Sequence, residues 1–259
     1  MKKFLRPKDL PVFTLLAAVL GFLVRLWALG AGPDSEGLYQ SHPVAWTTLW
    51  VLSIVTMLVI SLTAKRLKNP GEYEENFPKS VGGAVGCLLA AVGCMVEAML
   101  GLLSGDMLWT VTGVVGILAS VSLVVLAYGR FSGQKPNFFW GLLVCLFFAV
   151  RLFVGSRDWS NHTQFSVFLI PFFASAAAMF ACYYLTCFHV DLGNRKSCVF
   201  WNLTTVYLCV LALPGGEDVF FYGAIAIWFA TNLCSLKPIK KKETPKPEIT
   251  SKTENTDTP

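Results

Sequence analysis

Charge is scarce in this chain. Only 14% of its 259 residues are Asp, Glu, Lys or Arg, against 54% hydrophobic residues, a balance that excludes an ordinary soluble domain. Histidine is scarcer still, at three residues, and none of the eight cysteines stands in a Cys-x-x-Cys pair. A zinc-ligand spacing is therefore missing. Gly-x-Ser-x-Gly, His-Glu-x-x-His and a phosphate-binding glycine loop are missing too, so the usual hydrolase, metalloprotease and nucleotide-binding chemistries have no foothold. No cofactor, catalytic residue, metal site or nucleic-acid partner is implied.

What the sequence does have is apolar length. Stretches of about 20 residues recur along it, each able to cross a hydrocarbon core of about 30 Å at 1.5 Å per residue. Cutting at the polar punctuation predicts eight helical spans: Pro11 to Leu29, Pro43 to Leu62, Val81 to Leu103, Met107 to Ala127, Phe138 to Val154, Phe165 to Phe188, Val199 to Leu213 and Val219 to Leu236. The fold class is an all-α polytopic transmembrane bundle, with the lipid bilayer as its solvent. The seventh span is short and carries Asn202, Thr204 and Thr205, so it must be packed by protein rather than by lipid.

The first span follows a basic leader, Lys2, Lys3, Arg6 and Lys8. It is long for a secretory signal core and no Ala-x-Ala-like cleavage site follows, so it reads as a retained helix. All eight cysteines fall within spans or at their inner ends and read as small apolar packing residues rather than as a disulfide framework.

Lysine and arginine collect on one side. Eighteen of them lie in the terminal segments and in the loops on the N-terminal side, while Arg157 stands alone opposite. The positive-inside rule then puts both termini in the cytoplasm of a plasma-membrane protein. The opposite side collects Asp34, Glu36, Asp106, Asp158, Glu217 and Asp218, an acidic outer vestibule. From 237 to 259 the chain turns to Lys, Pro, Thr and Glu and is expected to be a disordered basic tail after a single membrane domain over 1–236.

The two halves echo each other. Val24-Arg25-Leu26-Trp27 ends span one and Val150-Arg151-Leu152-Phe153 ends span five, while Ser41-His42 precedes span two and Asn161-His162 precedes span six. Four spans per half predict parallel repeats over 11–127 and 138–236, with the two arginines facing each other across a pseudo-symmetry axis.

Arg25, Glu97 and Arg151 are the charges inside spans, and such residues are costly enough to be functional candidates. Two guanidiniums against one carboxylate leave an excess positive charge suited to a carboxylate or phosphate. His42 and His162 stand at matching mouths of spans two and six and complete the candidate ligand-binding set. The bland alternative is that the arginines reach to headgroups while Glu97 glues helices together.

Asn202 and Asn232, each about one turn from the inner surface, are placed to pair across a hairpin. Small residues every fourth position, Gly82, Gly86, Ala90, Cys94 and Ala98 in span three and Ala174, Ala178 and Cys182 in span six, permit close helix approach within the chain or to a second copy or membrane partner. The leading expectation is a small-solute carrier, or a membrane subunit of one, with an outward-facing pocket for an anionic or zwitterionic molecule. The alternative is a non-transporting sensor or assembly protein. A third reading, an intramembrane lipid-modifying enzyme, lacks a nucleophile or metal set.

Overall fold

The computed structural model describes residues 9–30, 43–160, 165–216 and 218–237. Among them every regular element is helical: α1 (Leu10–Leu29), α2 (Pro43–Ala64), the single turn α3 (Tyr73–Asn76), α4 (Val81–Leu103), α5 (Met107–Ser132), α6 (Phe138–Ser160), α7 (Phe165–Phe188), α8 (Arg195–Ala212) and α9 (Val219–Cys234). Seven are long and apolar enough to cross a membrane. The eighth apolar helix, α9, has 16 residues and spans about 24 Å. The expected all-α membrane bundle of about eight spans is the fold observed.

Local chemistry sets the boundaries. Ser80, Asp106 and Asn194 cap α4, α5 and α8 by accepting from Gly83 N, Leu108 N and Ser197 N, which satisfies amides that open a helix. Gly133, at φ 81°, ends α5 in the left-handed region that costs glycine nothing. Within the spans, hydroxyls fold back onto their own helix, as from Thr14 to Leu10 O at 2.9 Å and Ser122 to Leu118 O at 2.7 Å. No polar group is thereby left facing hydrocarbon at those positions.

Helix packing follows a closed circuit. α4 packs on α5, α5 on α6, α6 on α7, α7 on α8, α8 on α9, and α9 returns to α4. α1 and α2 stand outside this six-helix ring, paired with each other and leaning on α8. The ring brings α6 and α7 inside the circuit while leaving α1 and α2 at its edge, so the two groups of four helices are not arranged alike.

α8, the span with the lowest mean hydropathy at 1.6, is also the most enclosed, with 67% of its window buried against 33% for α2. This is the protein packing its polar residues require. Ser53 and Tyr207 hydroxyls meet at 3.0 Å between α2 and α8.

The small-residue faces are consumed within the chain. A Cβ on Gly86 would overlap the Thr231 hydroxyl of α9, and one on Gly113 would stand 2.7 Å from Ala98 O. Ala90, Cys94 and Ala98 of α4 and Ala174, Ala178 and Cys182 of α7 are all buried. These buried residues serve close backbone approach inside the ring, while Gly82 at the start of the same stripe is exposed.

Candidate functional site

The ring interior has polar groups at both ends and aromatic rings between. At the end carrying the 104–106 and 213–218 turns, Arg151 of α6 is 1% exposed and Glu97 of α4 is 6% exposed. Arg151 Nε donates to Glu97 Oε1 at 2.9 Å, Nη1 donates to the Ser175 and Tyr222 hydroxyls at 3.0 Å each, and Nη2 donates to Asp218 Oδ2 at 2.5 Å. Its guanidinium carbon also lies 4.3 Å from the centre of the Phe221 ring. Tyr222 donates in turn to the Pro171 carbonyl at 3.2 Å; Pro171 has no N–H for the carbonyl of Val167, four residues back in α7.

Arg25 does not join this cluster through any of its described hydrogen bonds. It is fully buried, and it donates to the Leu211 carbonyl at the end of α8 and to the Val167 carbonyl near the start of α7 at 3.3 Å. Arg25 stands on α1, which packs beside the ring, and Arg151 on α6, a member of it. The expected excess of positive charge is corrected at Arg151, because Asp218 supplies it with a second carboxylate. His42 and His162, with Asp34, Glu36 and Glu217 of the expected vestibule, lie outside the described residues.

Phe147 and Phe148 of α6 and Phe221 of α9 fill the middle, with ring centres 5.6 to 6.0 Å apart. Beyond them, at the end where Lys65, Lys79, Lys135 and Arg195 collect, a cavity of about 40 Å³ opens, room for a few waters. Cys87, Val144, Cys182 and Trp228 are among its lining residues. Each is six residues from an end of its helix, so the cavity reaches about 9 Å into the bundle.

Arg130 is the charged residue in that lining, and it falls beyond the span Met107 to Ala127 expected from sequence, among the bases of the inner loops. α5 instead continues to Ser132 and turns Arg130 inward, 6% exposed. Its Nη2 donates to Asn232 Oδ1 at 3.1 Å and to the Ser235 hydroxyl, and its guanidinium lies 4.5 Å from the Phe77 ring centre. A Cβ on Gly83 would come within 3.1 Å of Nε and Nη2, so the glycine provides the seat. Asn232 therefore pairs with Arg130 and not, as expected, with Asn202, which bonds back to Cys198 O at 2.6 Å.

Five buried polar atoms around this cavity have no hydrogen-bond partner: Arg130 Nε and Nη1, Trp228 Nε1, Asn232 Nδ2 and His189 Nδ1. Among the described residues no carboxylate lies within ion-pair distance of Arg130. Burial, reinforced by Arg130 and Lys135, holds His189 down to about 4, so it is neutral near pH 7. Burial pushes the neighbouring Tyr73 phenol up while Arg130 pulls it down.

A plate of contacts fixes the floor of the site. Arg195 donates to Asn76 Oδ1 at 3.0 Å and to Lys237 O at 2.8 Å, Lys135 pairs with Asp191, and Tyr73 N donates to Asp191 Oδ1 at 3.1 Å. Among the described residues no cluster of His, Cys, Asp or Glu could hold a metal ion. Comparison with protein-family models, with curated proteins and with solved structures gives no match, so the functional reading rests on this geometry.

Proposed function

We propose that this multi-pass membrane protein is a small-solute carrier, or the membrane subunit of one, whose solute passes through the interior of the six-helix ring. One observation carries the reading: the interior has polar groups at both ends, separated by the Phe147, Phe148 and Phe221 rings. A bundle serving only as a scaffold gains nothing from leaving buried donors unmatched, since each costs about 1–3 kcal/mol. In this reading Arg151, Glu97 and Asp218 form a closed gate at one end, and the cavity beside Arg130 is the open side of an otherwise sealed path. The basic end faces the cytoplasm of a plasma-membrane protein, with both termini there.

The arrangement of Arg25, Glu97 and Arg151 supports a gate more than an outward-facing ligand pocket, because the Arg151 guanidinium is occupied on every nitrogen. That same occupancy favours a second reading, a non-transporting sensor or assembly protein in which the charges hold helices together. Flux in proteoliposomes separates the two. Protein reconstituted in phosphatidylcholine vesicles is expected to exchange at least one member of a panel of small carboxylates, phosphate and amino acids faster than empty vesicles, and Phe147→Trp is expected to block that exchange. A folded, reconstituted protein that moves no member of the panel contradicts the carrier reading and leaves the second.

A further inference from the structure

We infer that the cavity beside Arg130 is an anion site that takes a single carboxylate or phosphate group. The inventory of unmatched atoms argues for it. Arg130 Nε and Nη1, Trp228 Nε1 and Asn232 Nδ2 are all donors, and the three residues that carry them line one cavity. The amide assignment of Asn232 is fixed by its neighbour, because Oδ1 accepts from Arg130 Nη2 and only the nitrogen is left over. His189 Nδ1, on a neutral ring, can add a donor or an acceptor according to tautomer. Four unmatched donors outnumber the acceptors of the lining, the Tyr73 and Thr186 hydroxyls among them, and so call for a ligand rich in acceptors.

Charge narrows the class. Arg130 is 6% exposed, Trp228 3% and Asn232 5%, the lining holds no Asp or Glu, and no described carboxylate pairs with the guanidinium. A buried, unpaired cation is expensive, and a monoanion beside it removes that cost with charge-assisted hydrogen bonds. Nε and Nη1 each keep an N–H to spare, and each can make one charge-assisted bond to an oxygen of a carboxylate or phosphate. Asn232 and Ser235 both take their bonds from Nη2, which fixes the orientation of the guanidinium.

Size narrows it further. About 40 Å³ admits one anionic group with its apolar neighbours Leu126, Val144 and Leu185 around it, not an extended polyanion. The anionic group has two sources, a free small anion or the headgroup of an anionic lipid entering from the basic end, and both use the same donors. The site shares the ring interior with the carrier reading but requires only equilibrium binding.

The test uses the full chain in phosphatidylcholine nanodiscs at constant ionic strength. Inorganic phosphate and acetate are titrated against chloride, with thermal unfolding as the readout, and a parallel set of nanodiscs carries phosphatidic acid without free phosphate. Saturable stabilisation by phosphate or acetate supports the proposal with a free-anion source; stabilisation by phosphatidic acid alone supports it with a lipid source.

In either case Arg130→Gln and Trp228→Phe are expected to weaken binding at least tenfold. Asn232→Asp, which places a carboxylate beside Arg130, is expected to abolish it while leaving the fold at least as stable as wild type. Binding by neither source identifies the occupant as water alone and overturns the proposal, as does saturable binding that Asn232→Asp leaves unchanged. Binding without flux removes the carrier reading and keeps the site; flux without saturable binding by either source removes the site and keeps the carrier.

Discussion

Removing Arg151 is expected to be among the most damaging single changes in the ring. Arg151→Met deletes a guanidinium with four hydrogen-bond partners and leaves Glu97, 6% exposed, without its cation. Breaking a buried pair from one side costs about 3–5 kcal/mol, because the remaining charge stays in a low-dielectric site. Glu97→Gln keeps an acceptor for Nε and exchanges a charge-assisted bond for a neutral one, a loss of about 1 kcal/mol. Asp218→Asn should cost less again, about 0–1 kcal/mol, because Asp218 is 30% exposed and its pairing is screened. The double variant Arg151→Met with Glu97→Leu removes both charges and should recover much of the loss. Reversible unfolding in mixed micelles, followed by circular dichroism, measures the order. The reasoning fails if Arg151→Met lies within about 1 kcal/mol of wild type, or if the double variant is as unstable as the two single losses added.

Other consequences follow from particular contacts. Gly86→Val drives a side chain into Thr231 across α4 and α9 and should cost about 1–3 kcal/mol in the same unfolding assay, whereas valine at the exposed Gly82 should leave stability almost unchanged. His189 is held down to about 4 against about 6.5 in an unfolded chain. As pH falls from 6.5 toward 4 the unfolded chain takes up a proton that the folded one refuses, so stability is lost across that window, by up to about 3 kcal/mol. His189→Gln should flatten that part of the pH profile, and an unchanged slope would assign it to other groups. Tyr222→Phe removes the hydroxyl shared by Arg151 and the Pro171 carbonyl and should cost about 1–3 kcal/mol, with a cost near zero indicating that Ser175 compensates.

Much of the architecture is legible in one-dimensional pattern because lipid demands it: the spans Val81 to Leu103 and Phe165 to Phe188 are read residue for residue. The site is less legible. Arg130 at an inner helix end is what the positive-inside rule leads one to expect of a loop base, and its inward turn depends on Gly83, Phe77 and Asn232, which are distant in sequence. A signal was nevertheless present: Leu123, Leu126, Ala127 and Arg130 continue the buried spacing of three and four, and Gly133 marks the stop. Asp218 reads as one more vestibule acid until the turn between α8 and α9 lays it over Arg151. Arg25 and Arg151 share the local sequence Val-Arg-Leu, yet Arg151 meets two carboxylates while Arg25 reaches the Leu211 and Val167 carbonyls, since local pattern sets the helix and the ring sets these partners.

The most direct test of the central claim is an experimental density map of the protein in lipid nanodiscs, with and without phosphate, resolved well enough to place the side chains around Arg130. A discrete density within about 3 Å of Arg130 Nη1, Trp228 Nε1 and Asn232 Nδ2, present with phosphate and absent without it, is the result expected from a cavity whose unmatched donors take an anion. A map in which these atoms find protein acceptors, with Arg130 paired to a carboxylate of the chain, would contradict the account.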